Sequence, residues 1–251
     1  MYFYLFDSFL NNKKYRQEIN EIENRITELG IEGKYVHLTV LKNFEETLQR
    51  AINNQNFKTI VLVGNKRTLH QALNILKENP SPVLGYIPIE KNEKINQLLG
   101  IPPGKFAVDV LASRLIEEID LGKVNNKYFL FSLEVGGDGL FLEGEDQNYQ
   151  IIPQERENII IGNLFKFNYH LTNPQDGFLE IIISPYTSKI WKIKRKGEKI
   201  EGLFYQKKIW IKAKGPSLPI LIDDSEIIKT PAEVSILPKK IKMIVGRERE
   251  F

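Results

Sequence analysis

The apolar positions of this chain change their period near its middle, so its two halves predict different architectures. In the first half, short apolar runs alternate with amphipathic stretches. YFYLFD (2–7) precedes KKYRQEINEIENRITELG (13–30), where Ile19, Ile22, Ile26 and Leu29 recur at helical spacing and stop at Gly30. That is the pattern of one buried helix face ended by a glycine. YVHLTV (35–40), FEETLQRAINN (44–54), TIVLVG (59–64), TLHQALNILKEN (68–79) and VLGYIPI (83–89) continue the alternation of strand and helix, which predicts βαβ units and a largely parallel sheet. From about residue 119 the runs become strands separated by turns: YFLFSLEV, YQIIP, NIIIGNLFKFNYHL, GFLEIIIS, KIWKIKRK, KKIWIKAK, LPILID and AEVSIL. Spacing of that kind predicts an antiparallel sandwich or barrel. The expected organisation is an α/β parallel-sheet domain over residues 1–118 followed by an all-β, antiparallel β-sandwich domain over 119–251. Residues 115–124 form the boundary region.

Candidate chemistry concentrates where TIVLVG meets the next helix. VLVGNKRTLH (61–70) is a strand ending in Gly64, a polar turn and a helix start, a geometry in which backbone N–H groups gather and can hold phosphate. Together with LGYIPIEKNEKINQLLGIP (84–102) and IDLGKVNNKYFLFSLEVG (119–136), this segment resembles the diacylglycerol kinase catalytic family of lipid kinases. The resemblance spans nearly the whole chain. It implies a first domain like that of phosphofructokinases and NAD kinases, use of ATP with Mg2+, and last residues that return to the first domain. The family's G-G-D-G-T turn corresponds to Gly64, Asn65, Lys66, Arg67 and Thr68, with Asn74 at its downstream asparagine. The family's second nucleotide loop, P-x-G-T-x-N-D, keeps Pro88 and then reads Glu90, Lys91, Asn92, Glu93, Lys94. The resemblance makes residues 64–68, Pro88 and Asn92 the nucleotide-binding set.

One departure bears on activity. Lys66 stands where the family carries the aspartate that serves the nucleotide's metal and phosphates. Phosphoryl transfer rests on positioning and charge stabilisation, so losing a metal-linked acid costs on the order of 10²-fold in rate. The reading therefore stays divided between a lipid kinase, possessing an impaired or rebuilt site in which Lys66 and Arg67 meet phosphate directly, and a catalytically inactive pseudokinase that binds nucleotide or anionic lipid. VGGDG (135–139) has letters closer to the family turn. It follows the IDLGKVNNKYF run, however, and leads into LFLEGEDQNYQ rather than a helix, so it is expected to be a hairpin turn.

Two further family marks lie in the second half. Residues 173–179 (NPQDGFL) resemble a turn that binds a structural magnesium in bacterial members, which implies Asn173, Asp176 and the carbonyl of Phe178 as ligands, an all-oxygen set suited to a hard ion; an Asp-Gly turn without metal is the alternative. Residues 222–226 (IDDSE) resemble the family's D-G-E motif, which implies Glu226 as general base on the lipid hydroxyl, with Ser225 in place of glycine. NAD kinases share the glycine-rich turn, but the IDLG–NNKYF run and this acidic motif favour the lipid-kinase branch.

Composition narrows the rest. Of 251 residues, 42% are hydrophobic and 27% charged, and there is no cysteine, which rules out a disulfide framework and thiolate zinc sites and fits a reducing cytoplasm. His37, His70 and His170 share no ligand spacing, and neither a G-x-S-x-G elbow nor a Walker A motif occurs. The N-terminus reads as a buried strand rather than a signal peptide, and no run is long enough to span a bilayer, so membrane contact is expected to be peripheral. The net charge is only +3, yet residues 189–214 hold ten Lys or Arg against two Glu, with Trp191, Phe204, Tyr205 and Trp210 interleaved. Alternation in KIWKIKRK puts Lys192, Lys194 and Lys196 on one face. That face suits an anionic membrane surface. Nucleic acid is the competing partner and is not expected, an edge hairpin guarded by lysines is the plainer alternative, and a homodimer is left open.

Overall fold

The fold is described from a computed structural model covering residues 1–39, 42–76, 82–91, 94–145, 148–154, 157–185 and 200–251. The chain divides into two units, one of Met1–Ile119 with Ile241–Phe251 and one of Asp120–Lys240.

In the first unit β1 (Tyr2–Phe6), α1 (Arg16–Glu28), β2 (Gly33–His37), α2 (Phe44–Asn53), β3 (Thr59–Gly64), α3 (Lys66–Leu76), β4 (Val83–Pro88), α4 (Lys94–Leu99) and α5 (Phe106–Ser113) follow one another. The strands pair in the order β2-β1-β3-β4, every pair parallel. β3 is buried at all its positions, as a parallel strand covered on both faces must be. Its TIVLVG sequence is accordingly apolar rather than alternating. α1 buries Ile22 and Ile26 and stops where Gly30, at φ +63°, donates to the Thr27 carbonyl, a left-handed end that glycine adopts without strain. Tyr4, Phe6, Leu62, Leu69, Leu73 and Tyr86 are among the fully buried side chains. The sheet is completed from the far end of the chain: Met243 pairs in parallel with Leu84, and the Gly246 N–H donates to the Leu99 carbonyl at 2.9 Å. That crossing requires glycine, since a Cβ at residue 246 would lie 1.7 Å from the Gly100 carbonyl oxygen.

β5 (Ile116–Val124) carries the chain from one unit to the other. β6 (Lys127–Phe129), β7 (Ser132–Gly136), β8 (Leu140–Gly144), β9 (Gln150–Ile151), β10 (Glu157–Gly162), β11 (Lys166–Phe167), β12 (His170–Leu171), β13 (Leu179–Pro185), β14 (Gly202–Gln206), β15 (Lys208–Ala213), β16 (Pro219–Ile222), β17 (Glu226–Lys229) and β18 (Ala232–Ile244) follow. In the second unit one antiparallel sheet runs β14-β13-β10-β7-β16-β17. The other places β15 between β8 and the start of β18. Ile159, Ile161, Ile181, Leu133 and Ile222 from the first sheet and Leu142, Ile209, Ile211 and Val234 from the second share one buried core, the two-residue period of a sandwich interior.

The VGGDG turn at 135–139 is not a hairpin. β7 pairs with β10 and β16, whereas β8 pairs with β15 and β9. Gly137 and Gly139, both at positive φ, therefore turn the chain from one sheet into the other. The KIWKIKRK run with Lys192, Lys194 and Lys196 lies outside the described residues, as does Asn92.

Candidate functional site

In a parallel sheet whose strand order reverses, ligands collect in the crevice beyond the carboxyl ends of the strands at the reversal. Here the reversal lies between β1 and β3: the chain leaves β1 for β2 on one side and returns to β3 on the other. The residues just past those two ends are Asp7 and the 64–68 turn. Gly64 stands in register with Pro88, and the Ile89 N–H donates to the Gly64 carbonyl at 2.9 Å. Both family-like loops are thus adjacent on one edge of one sheet.

The turn is internally braced. The Thr68 N–H donates to Asn65 Oδ1 at 3.2 Å, and the Asn65 N–H donates to Thr68 Oγ1 at 3.1 Å. With its oxygen accepting, the Thr68 hydroxyl spends its proton on Asp7 Oδ2, 2.5 Å away. Gly64 makes room for this arrangement, because a Cβ there would lie 2.3 Å from Thr68 Oγ1. Asn65 Nδ2 reaches Glu90 Oε1 at 3.3 Å, tying the two loops together. Lys66 is half-buried and Arg67 exposed. Asn74 is held on α3 by donating to the His70 carbonyl at 3.1 Å. The site is therefore mixed in charge: two cationic side chains suited to phosphate, and two carboxylates, Asp7 and Glu90, whose oxygens suit a hard cation. Nothing in the sequence marks Asp7, which reaches Thr68 from 61 residues away.

In the second unit Glu226 opens β17 after a turn in which Asp223 and Asp224 lie at φ 47° and 52°, as mirror-image turns require. The Ser225 N–H closes it onto the Ile222 carbonyl at 2.9 Å. Asp223, 1% exposed, anchors the turn: its carboxylate accepts the backbone N–H groups of Leu130, Phe131 and Ser132 at 3.0, 2.9 and 3.0 Å. Lys127 Nζ stands 2.9 Å from Glu226 Oε1. The glutamate is held half-exposed in an ion pair rather than left loose in solvent.

The 173–179 turn also uses its polar side chains locally. Asn173 Oδ1 accepts from the Gln175 N–H at 3.1 Å and Asp176 Oδ1 from the Phe178 N–H at 2.9 Å. Behind it lies Asp120, fully buried, accepting the Gly177 and Lys239 N–H groups, each at 2.7 Å. Burial pushes the Asp120 carboxyl above its ordinary range; those two N–H bonds pull the other way and the nearby Asp176 adds to the rise. Two carboxylates, an amide oxygen and a carbonyl at one turn fit a hard ion by donor chemistry. Asp120 was missed because its partners are remote in sequence.

On β15, Ile209 and Ile211 face the core while Lys208, Trp210 and Lys212 remain half-exposed. Lys208 Nζ sits 4.7 Å over the Trp210 ring, and Lys212 pairs with Glu143 at 2.5 Å. Part of this basic stretch is therefore neutralised locally. No helix among the described residues is long and apolar enough to cross a membrane.

No protein-family model matches the chain. It is 22% identical over 196 residues to a diacylglycerol kinase of Staphylococcus aureus (strain MRSA252), covering 68% of this chain and 62% of that protein. It is 26% identical over 160 residues to the diacylglycerol kinase of strain Newman, covering 53% and 50%. These alignments take in about 50 to 62% of the length of the curated relatives. Among solved structures, a diacylglycerol kinase from Bacillus anthracis str. Sterne superposes with a TM-score of 0.79 at 16% identity, covering 99% of this chain and 97% of that one. An NAD kinase from Archaeoglobus fulgidus in complex with ATP gives 0.60 at 15% identity, covering 99% and 95%. The fold expected from the sequence, an α/β half with a parallel sheet and an antiparallel β half of the NAD kinase type, is the fold observed. The resemblance to the diacylglycerol kinase family is supported by the curated relatives, and the solved structures support the fold.

Proposed function

We propose that this chain is a lipid kinase of the diacylglycerol kinase type, transferring a phosphoryl group from ATP to a lipid hydroxyl. The observation that carries this reading is the meeting of the 64–68 turn with Pro88 and Glu90 at the carboxyl edge of the parallel sheet, where its strand order reverses. In this reading the side chains of Lys66 and Arg67 orient the phosphates at the 64–68 turn, with Asn92 completing the second loop. Asp7 and Glu90 are the carboxylates that would face a Mg2+ carried in with the nucleotide, which would there neutralise developing phosphate charge. Glu226 takes the proton of the attacking hydroxyl, and Lys127 fixes the carboxylate until the hydroxyl arrives. The residues around Asn173, Asp176 and the Phe178 carbonyl would hold a second, structural magnesium. Incubation with labelled ATP, magnesium and diacylglycerol in mixed micelles should yield phosphatidic acid, and Glu226→Gln should abolish it.

A second reading, a pseudokinase that binds nucleotide or anionic lipid, is favoured by the way Asn65 occupies the Thr68 N–H that a phosphate would use. It applies if no lipid alcohol is turned over. Binding to phosphatidylglycerol vesicles that is lost on replacing Lys192, Lys194 and Lys196 by glutamate would then identify the peripheral, cytoplasmic-leaflet form of that function.

A further inference from the structure

We propose that Asp7 supplies, from the end of β1, the metal-facing carboxylate that the turn lacks at Lys66, making nucleotide binding depend on a divalent cation through this residue. The inference rests on the reading of residues 64–68 as a nucleotide site, and it concerns how that site is charged. Asp7 is 61 residues from Thr68 in sequence, yet its Oδ2 lies 2.5 Å from the Thr68 hydroxyl. Its other oxygen accepts from Ser8 Oγ at 3.2 Å and from the Phe9 N–H at 3.4 Å. Both oxygens are thus oriented by donors, and the carboxylate is fixed at the crevice where the strand order turns. Gly64, which alone admits the Thr68 hydroxyl so close, serves the same contact. A fixed carboxylate beside a polyphosphate repels it unless a cation stands between them. With Lys66 now a cation, Asp7 and Glu90 are the acids that the described loops bring to this edge, and only Asp7 is tied directly to the turn's threonine.

The alternative role for Asp7 is architectural, as the cap of the short Ser8–Asn11 turn. Asn caps as well as Asp, so Asp7→Asn keeps that role and removes the charge. Isothermal calorimetry with a non-hydrolysable ATP analogue, in excess Mg2+ and in EDTA, separates the two. The proposal expects the wild type to bind at least about tenfold more tightly with Mg2+, the scale on which a metal's supporting ligands act. In Asp7→Asn the two affinities should come within about twofold of each other, with EDTA affinity equal to or better than wild type and the melting temperature little changed. Asp7→Ala, which also loses the cap, should show the same lost response to Mg2+ despite a lower melting temperature. An Asp7→Asn protein that responds to Mg2+ as the wild type does overturns the proposal. So does a wild type that binds equally well in EDTA, which would leave Lys66 and Arg67 as the phosphate contacts and the nucleotide reading intact. If no protein binds the analogue under either condition, the nucleotide reading itself fails and this inference falls with it.

Discussion

Removing the Asp223 carboxylate should cost the second unit more than any surface change, because it strands three backbone donors at once. Asp223→Ala leaves the N–H groups of Leu130, Phe131 and Ser132 without their acceptor in a site where the aspartate is 1% exposed. Hydrogen bonds to a charged group contribute about 1.5–3 kcal/mol each, and they are not additive when one carboxylate serves all three. Alanine must also adopt φ 47°, which adds about 1 kcal/mol that asparagine largely avoids. A total of about 4 kcal/mol follows, at the upper end of single-residue effects. With a urea m-value of about 2 kcal/mol/M, the midpoint of the second unit's transition should fall by about 2 M. Asp223→Asn should fall in between, since one oxygen can keep Phe131 and Ser132 while Leu130 meets an NH2 group. Urea titration followed by Trp210 fluorescence, with Trp191, the chain's other tryptophan, replaced by phenylalanine, reads this unit directly. A midpoint for Asp223→Ala within about 0.3 M of the wild type, less than 1 kcal/mol on that slope, would refute the account of what holds the turn that presents Glu226.

Asp120 gives a pH-dependent expectation. Its folded pKa is raised, by burial above all, so the folded unit binds this proton more tightly than the unfolded chain. That stabilisation is complete below the unfolded carboxyl value and is lost as pH rises through the raised folded value. The difference in melting temperature between wild type and Asp120→Asn, measured from pH 3 to 8, should therefore move against the wild type as pH increases; a pH-independent difference counts against it. If the 173–179 turn holds magnesium, millimolar Mg2+ should raise the second unit's melting temperature and Asp176→Asn should remove the increment, with saturation at 100 times Kd contributing about 2.7 kcal/mol. Equal melting in Mg2+ and EDTA for the wild type would discount the ion.

The elements that sequence made legible are those whose signal is local. Ile22 and Ile26 keep their helical period because α1 packs one face only, and TIVLVG reads as a buried strand because both its faces are covered. β5 is legible in the sequence only as a boundary, because Glu117, Glu118, Asp120 and Lys123 break its apolar pattern. Glu117 is matched by Arg249 at 2.6 Å and Glu118 by Lys242 at 3.5 Å, partners more than 120 residues away that no window along the chain contains. The VGGDG turn misled for the same reason: Asp-Gly signals a tight turn, but which strands it joins depends on the registers of β10, β15 and β16. At the candidate site the glycine turn and Pro88 were legible as motifs. Asp7 was not, since only the order of strands in the sheet brings it to Thr68.

The return of residues 241–251 to the first unit has a consequence for how the protein is made. The α/β unit lacks its closing strand until about 120 intervening residues have been synthesised. At about 5–20 residues per second, that is a delay of roughly 6 to 24 s. Throughout it, the edge of β4 that Met243 later covers stands open, so the α/β unit must hold its unpaired strand edge for as long as the second unit is being made.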